Sequence, residues 1–301
     1  MSSRDTFSSC HPTVNFLYFA LVLLFTMFFT HPVCLGIALV SAVAYHLYLN
    51  GRRALRFSLG VLLPMMLLAA VVNPAFSHEG VTILTYLPSG NPLTLESILY
   101  GLAAAMLLAA VIAWFGCYTA VMTSDKFVYL FGRVIPALSL VLSMTLRFVP
   151  RFVAQLRTVG EAQRCLGRGA GEGGALQRLR NAVRIFSIVV TWALENAIET
   201  ADSMRSRGYG LPGRTAYSIY RFDERDRLAL LWLGFCALAT VAAWGTGLFY
   251  WRWYPSVKSA AFGPLSAFFF LVYAGLCLTP LIMDVYADLH WKQIHTRGIM
   301  S

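Results

Sequence analysis

Six stretches of this chain, at about 14 to 30, 33 to 49, 57 to 73, 97 to 121, 228 to 250 and 264 to 286, run near bilayer length with almost no charge. Such runs leave few structural options. In hydrocarbon every backbone N–H and C=O has to find its partner inside the protein, and a single apolar segment of about 20 residues does so as a helix. The composition agrees, being 58% hydrophobic and 13% charged with a mean hydropathy of +0.63, too apolar for a solvated globular surface. The sequence therefore predicts an all-α integral membrane protein with about six transmembrane helices. The first run is read as a retained span and not as a cleavable signal, because residues 1 to 13 are polar and carry only Arg4 as a base. It meets the second run at His31-Pro32, a break that suits a helical hairpin or a re-entrant pair.

Charge sets the expected orientation. The link from 50 to 56 carries Arg52, Arg53 and Arg56, whereas 74 to 96 carries no Lys or Arg, so the first is expected inside and the second outside. The segment 124 to 227 holds 16 of the 24 basic residues against nine acidic ones and falls on the inner side in the same scheme, as do both termini. Retention of positive charge and attraction to an anionic lipid bilayer account for most of the net charge of +10. Nucleic acid is not an expected partner, since the bases sit among membrane-directed apolar faces and form no groove-reading module. The chain thus divides into N-terminal transmembrane helices (1–123), a cytoplasmic-face domain (124–227) and C-terminal transmembrane helices (228–301). The external 74 to 96 stretch, rich in Pro, Gly and Asn, reads as a structured cap or short hairpin.

Residues 124 to 227 are too apolar for a solvated domain, yet Arg133, Pro136, Arg147, Pro150 and Arg184 interrupt every run of span length. They read as amphipathic helices at the membrane surface: 127 to 148 with a kink near Pro136, 150 to 167 with Pro150 in its first turn, and 176 to 207. The glycine run "GRGAGEGG" at 167 to 174 separates the last two. It is no phosphate-cradling loop, because GxxxxGK[ST] occurs nowhere in the chain, and the chain has no visible means of hydrolysing ATP. The six cysteines form no CxxC pair and the six histidines no HExxH or HxH spacing, so neither disulfides nor a metal site are expected.

The helix from 176 to 207 places Glu195, Glu199 and Asp202 on one stripe and Leu194, Ala197, Ile198, Ala201 and Met204 around much of the other side. Arg205 and Arg207 flank the apolar face, and Gly208 is a natural stop. Cations in a last turn stabilise a helix by about 0.3 to 1 kcal/mol through its dipole, which alone would explain them. A second end of the same character, "EAQRCLGRG" at 161 to 169, again sets Arg164 and Arg168 beside glycine. Two such ends on consecutive helices suit paired contacts with a two-lobed partner.

Taken together, "NPAFSHEGVTILTYLPSGNPLTLESILYG" (73 to 101), "EAQRCLGRG" and "ENAIETADSMRSRGYGLPGR" (195 to 214) resemble the transmembrane T component of energy-coupling factor transporters, the EcfT/CbiQ family. The resemblance implies a non-catalytic scaffold in the bacterial plasma (inner) membrane. Such a scaffold couples two cytoplasmic ABC-type ATPase subunits, which bind the ATP and Mg, to a membrane S component that binds a vitamin or metal ion; no cofactor is implied for this chain itself. Two Ala-Arg-Gly-like motifs at the ends of the coupling helices insert arginines into grooves on the ATPases. The second matches here as Ser206-Arg207-Gly208, with Arg205 beside it. The first departs, because Cys165-Leu166-Gly167 lacks the arginine; Arg164 or Arg168 then stands in, or that end docks with less polar contact. The S component is expected on Phe186, Val189, Val190, Trp192, Ala193, Ala197 and Met204, a face that burial against the chain's own spans would equally explain.

Two other classes compete. A stand-alone substrate-binding permease would need ionisable residues inside its spans, and only Asp284, near the end of the last, qualifies. An intramembrane enzyme would need a nucleophile and base, or paired acids, at membrane depth. The acids of the 176 to 207 helix are better read as solvated or ion-paired.

Overall fold

The computed structural model describes residues 6–77, 79–86, 92–132, 135–209, 211–212, 220–259 and 263–299. Arg4, Arg133, Arg214 and the centre of the expected cap at 87 to 91 lie outside them. In chain order the helices are α1 (Pro12–Phe28), α2 (Pro32–Asn50), α3 (Arg52–Phe57), α4 (Leu63–Phe76), α5 (Leu95–Val121), α6 (Ser124–Gly132), α7 (Pro136–Cys165), α8 (Ala175–Ser206), α9 (Glu224–Gly245) and α10 (Pro264–Ile299). A π-helical turn, Ser58–Leu62, joins α3 to α4, and two short hairpins pair β1 (Ile83–Tyr86) with β2 (Pro92–Thr94) and β3 (Trp251–Arg252) with β4 (Lys258–Ser259). The chain is an all-α, multi-pass membrane protein. It forms two compact units, one of Met1–Thr123 with Tyr220–Ser301 and one of Ser124–Ile219.

In the first unit five helices are long and apolar enough to cross a membrane: Pro32–Asn50, Arg52–Phe76, Leu95–Val121, Glu224–Gly245 and Pro264–Trp291. The sixth expected span is α1, whose 17 residues extend only about 25 Å at 1.5 Å per residue. Its Val14, Tyr18, Phe19, Val22 and Phe25 are all buried, so protein surrounds it more than it would a lipid-facing helix. The helices α1 and α2 start alike: His11 and His31 each accept, through Nδ1, the N–H two residues on, and a proline follows at the first helical position, where no N–H is needed.

The helix α5 packs against α1, α2 and α4. Small side chains let it come close, Ala105, Ala109, Ala110, Ala113 and Cys117 being fully buried. The α4 helix runs on through Pro74 to Phe76, past the expected end of its span. Pro74 has no N–H to offer the Ala70 carbonyl, and Gly101 of α5 lies against that carbonyl so closely that a Cβ there would stand 3.1 Å from the oxygen.

Asp284, near the end of the last expected span, is fully buried in α10. Its Oδ1 accepts the backbone N–H of Phe7 at 2.8 Å and its Oδ2 the Tyr45 hydroxyl at 3.4 Å. Asp226 accepts the His11 N–H at 2.9 Å and Asp288 the Tyr48 hydroxyl at 2.7 Å. Carboxylates of α9 and α10 thus staple the chain's first turns and α2 to the C-terminal helices. At the other end of the unit, β1 and β2 form the hairpin expected between 74 and 96, and buried Glu96 holds its base by accepting the Thr82 N–H and, at 2.9 Å, the Thr82 hydroxyl.

In the second unit α6 packs on α7, and α7 on α8. The expected boundaries at the prolines are corrected here. Pro136 begins α7 where a kink was expected, and Pro150 lies inside α7 where a new helix was expected to start. At its first position a proline gives up an N–H that has no helical partner anyway. Inside, it frees only the Leu146 carbonyl, which a helix already anchored on both sides of the break tolerates.

The Asp284 staple carries a first prediction. Leaving the buried Phe7 N–H without its acceptor should cost about 1 to 3 kcal/mol, so Asp284→Ala should lower the thermal midpoint in detergent, and Asp284→Asn, which keeps an acceptor oxygen, should lower it less.

Candidate functional site

The two helix ends singled out in the sequence close with the same backbone motif. At the end of α7 the Arg168 N–H bonds to the Gln163 carbonyl at 2.9 Å and the Gly167 N–H to the Arg164 carbonyl at 3.0 Å. At the end of α8 the Tyr209 N–H bonds to the Met204 carbonyl and the Gly208 N–H to the Arg205 carbonyl, both at 3.0 Å. Each is a Schellman cap, with its glycine in the left-handed region at φ +70° for Gly167 and +78° for Gly208. The shared motif fixes a residue-by-residue equivalence: Arg164 with Arg205, Cys165 with Ser206, Leu166 with Arg207, Gly167 with Gly208 and Arg168 with Tyr209.

All four arginines are exposed. Among the described residues none of their guanidiniums has a carboxylate within 4 Å. They add positive charge where the helix dipoles are negative and are left with donors to spare. The acids expected on one stripe of α8, Glu195, Glu199 and Asp202, are exposed as well.

These ends stand far apart. The Asn181 amide of α8 donates to the Gly169 carbonyl at 3.0 Å, which sets the end of α7 beside the start of α8. The second end lies at the far side of the 32-residue α8, a helix about 48 Å long.

Two apolar stripes run along α8. Asn181, Ile185 and Val189 are buried, and one turn further Trp192 meets Phe152 of α7 edge-on with ring centroids 5.9 Å apart. On the opposite side Leu176, Leu179, Val183, Phe186, Val190, Leu194 and Ile198 recur every three or four residues and are all exposed, Leu176 to 83% and Ile198 to 65%. Of the residues expected to meet an S component, Phe186, Val190 and Ala197 lie on this open side, Ala193 and Met204 are half-buried, and Val189 belongs to the buried stripe. Leu176, Leu179 and Val183 were absent from that set, although the same spacing leads to them.

Among the described residues no three His, Cys, Asp or Glu side chains gather as metal ligands. The family described as cobalt transport protein, CbiQ, matches residues 6–217, a stretch that contains both helix ends. This chain belongs to that family. It is 32% identical over 102 residues to the energy-coupling factor transporter transmembrane protein EcfT of Lactobacillus helveticus, covering 34% of this chain and 37% of that one. To the EcfT of Lacticaseibacillus paracasei it is 38% identical over 93 residues, covering 31% and 35%. The aligned stretches thus span little more than a third of these relatives' length.

Replacing either cap glycine forces a Cβ into the left-handed region, at about 1 to 2 kcal/mol. Gly208→Ala should therefore speed amide exchange over the last turn of α8, and Gly167→Ala should do the same for α7 while leaving the last turn of α8 unchanged.

Proposed function

We propose that this chain is the transmembrane coupling subunit of an energy-coupling factor importer, transmitting the ATP-driven motion of two cytoplasmic ABC-type ATPase subunits to a membrane S component for vitamin or metal-ion uptake. The observation that carries this reading is the pair of matching, arginine-bearing helix ends, held apart by the length of α8. One compact lobe would not readily reach both; a pair of ATPase subunits supplies two docking faces. ATP and Mg belong to those subunits, and this chain acts without catalysis. The charge distribution supports a plasma-membrane orientation with both termini, and the second unit, on the cytoplasmic side.

An arginine fork suits this task, because it makes several charge-assisted hydrogen bonds in fixed geometry and so resists withdrawal when the partner moves. On this reading Arg207 and Arg205 hold one ATPase, while Arg164, with Gly167 and Arg168, holds the other. The open stripe of α8 faces the S component, whose apolar surface would cover Phe186, Val190 and their neighbours. The stand-alone permease loses its main candidate residue, since Asp284 is engaged in holding Phe7 and Tyr45.

The test is co-purification in detergent with the co-expressed ATPases. Arg207→Glu should weaken ATPase capture by about 30-fold or more, the usual consequence of reversing a buried interfacial charge, and Arg164→Glu should weaken it at the other end, with membrane insertion intact. Retention of both ATPases and of uptake by both variants would reduce the arginines to helix caps. Leu194→Glu, on the open stripe, should release the S component while sparing the ATPases.

A further inference from the structure

The cap equivalence puts Leu166 where Arg207 stands. Their backbones agree closely, with φ −89° and ψ 8° at Leu166 and φ −86° and ψ 10° at Arg207, and each is followed by a left-handed glycine. The two side chains therefore leave their helix ends in the same direction relative to the local axis. Their chemistry is opposite. Arg207 presents a planar cation with five donors; Leu166 presents a branched hydrocarbon that is 67% exposed, between the exposed Arg164 and Arg168. An apolar side chain held out at a basic, solvated helix tip finds no cover among the chain's described residues.

We propose that the two ends enter chemically unlike sockets: Leu166 fills an apolar one rimmed by acceptors for Arg164, and Arg207 an anionic one. The pair of ATPase faces that receives them is therefore not equivalent. This rests on the coupling reading above and makes it more specific. The equivalent residues Arg164 and Arg205 supply a contact common to both ends, and position 166 or 207 supplies the discrimination. An apolar socket rejects a guanidinium because its donors would be desolvated without partners. An anionic socket rejects leucine because its own acceptors would be stranded.

The experiment measures binding of the purified native ATPase pair to the full-length chain in detergent, for the wild type and for Leu166→Arg, Leu166→Met and Arg207→Leu. Residue 166 is exposed, so its substitution leaves the helix packing intact, which the thermal midpoint of each variant checks. Wild-type binding with a loss of tenfold or more for Leu166→Arg and for Arg207→Leu, and near-native binding for Leu166→Met, is the expected result. Leu166→Arg binding as well as or better than the wild type would overturn the proposal, since both sockets would then accept arginine. A wild-type chain that captures no ATPase would remove the coupling reading itself, an outcome visible before any variant is compared. Photo-crosslinkers placed at 166 and at 207 give a second readout. They should label apolar and acidic segments of the ATPases respectively, and labelling of one and the same segment from both positions would overturn the proposal as well.

Discussion

How near α5 lets its neighbours come decides the arrangement of the first unit. In lipid the apolar surfaces of helices gain little from meeting one another, so association rests on packing contacts and the few polar bonds between helices. The α5 face of alanines, with Gly101 against the Ala70 carbonyl and Gly116 beside the His46 ring, lowers the steric limit on approach. That closeness lets Pro74 remain inside α4, because the carbonyl it leaves without a partner is covered by glycine backbone. Among the helices α4 packs chiefly on α5, so many of its leucines and valines face outward.

Much of this unit was legible in the sequence, because freedom from charge over the length of a bilayer has few structural meanings. The runs beginning near 33, 57, 97, 228 and 264 became helices long enough to span, and the run beginning at 14 became the shortest of the six. What the pattern hid was the role of individual residues. Pro136 and Pro150 look alike in a string of letters. Whether a proline starts a helix or interrupts one depends on whether the preceding turn is already anchored, and the packing of α7 on α6 and α8 decides that. Asp284 hid its role in the same way: an acid near the end of a span does not reveal by itself that the chain's own first turns fold back to bond it.

At the candidate site the glycines were readable, since Gly167 and Gly208 follow amphipathic segments and carry the positive φ that ends a helix. Their flanking arginines were found for the same reason. The equivalence of Leu166 with Arg207 was available in principle by aligning the two glycines, but it becomes physical only when both ends adopt the same hydrogen-bonded cap. The open stripe of α8 was read in part. Buried and exposed apolar positions are indistinguishable by composition, and only the packing of Trp192 on Phe152 separates them, placing Val189 inside and Phe186 outside.

The two long helices of the second unit differ in one further respect. From Ala175 to Ser206 the α8 sequence contains neither proline nor glycine, so its hydrogen-bond ladder is unbroken along its length, whereas α7 carries Pro150 midway and Gly160 ten residues later. Bending stiffness follows from that continuity. A torque applied at Arg207 travels along α8 to Leu176 with little lost to flexing, and turning such a rod by roughly 10° about one end carries the other through about 8 Å, given its length of about 48 Å. The same torque applied at Arg164 is partly absorbed where Leu146 lacks its helical partner. The pair is mechanically unequal, one arm a lever and the other a spring.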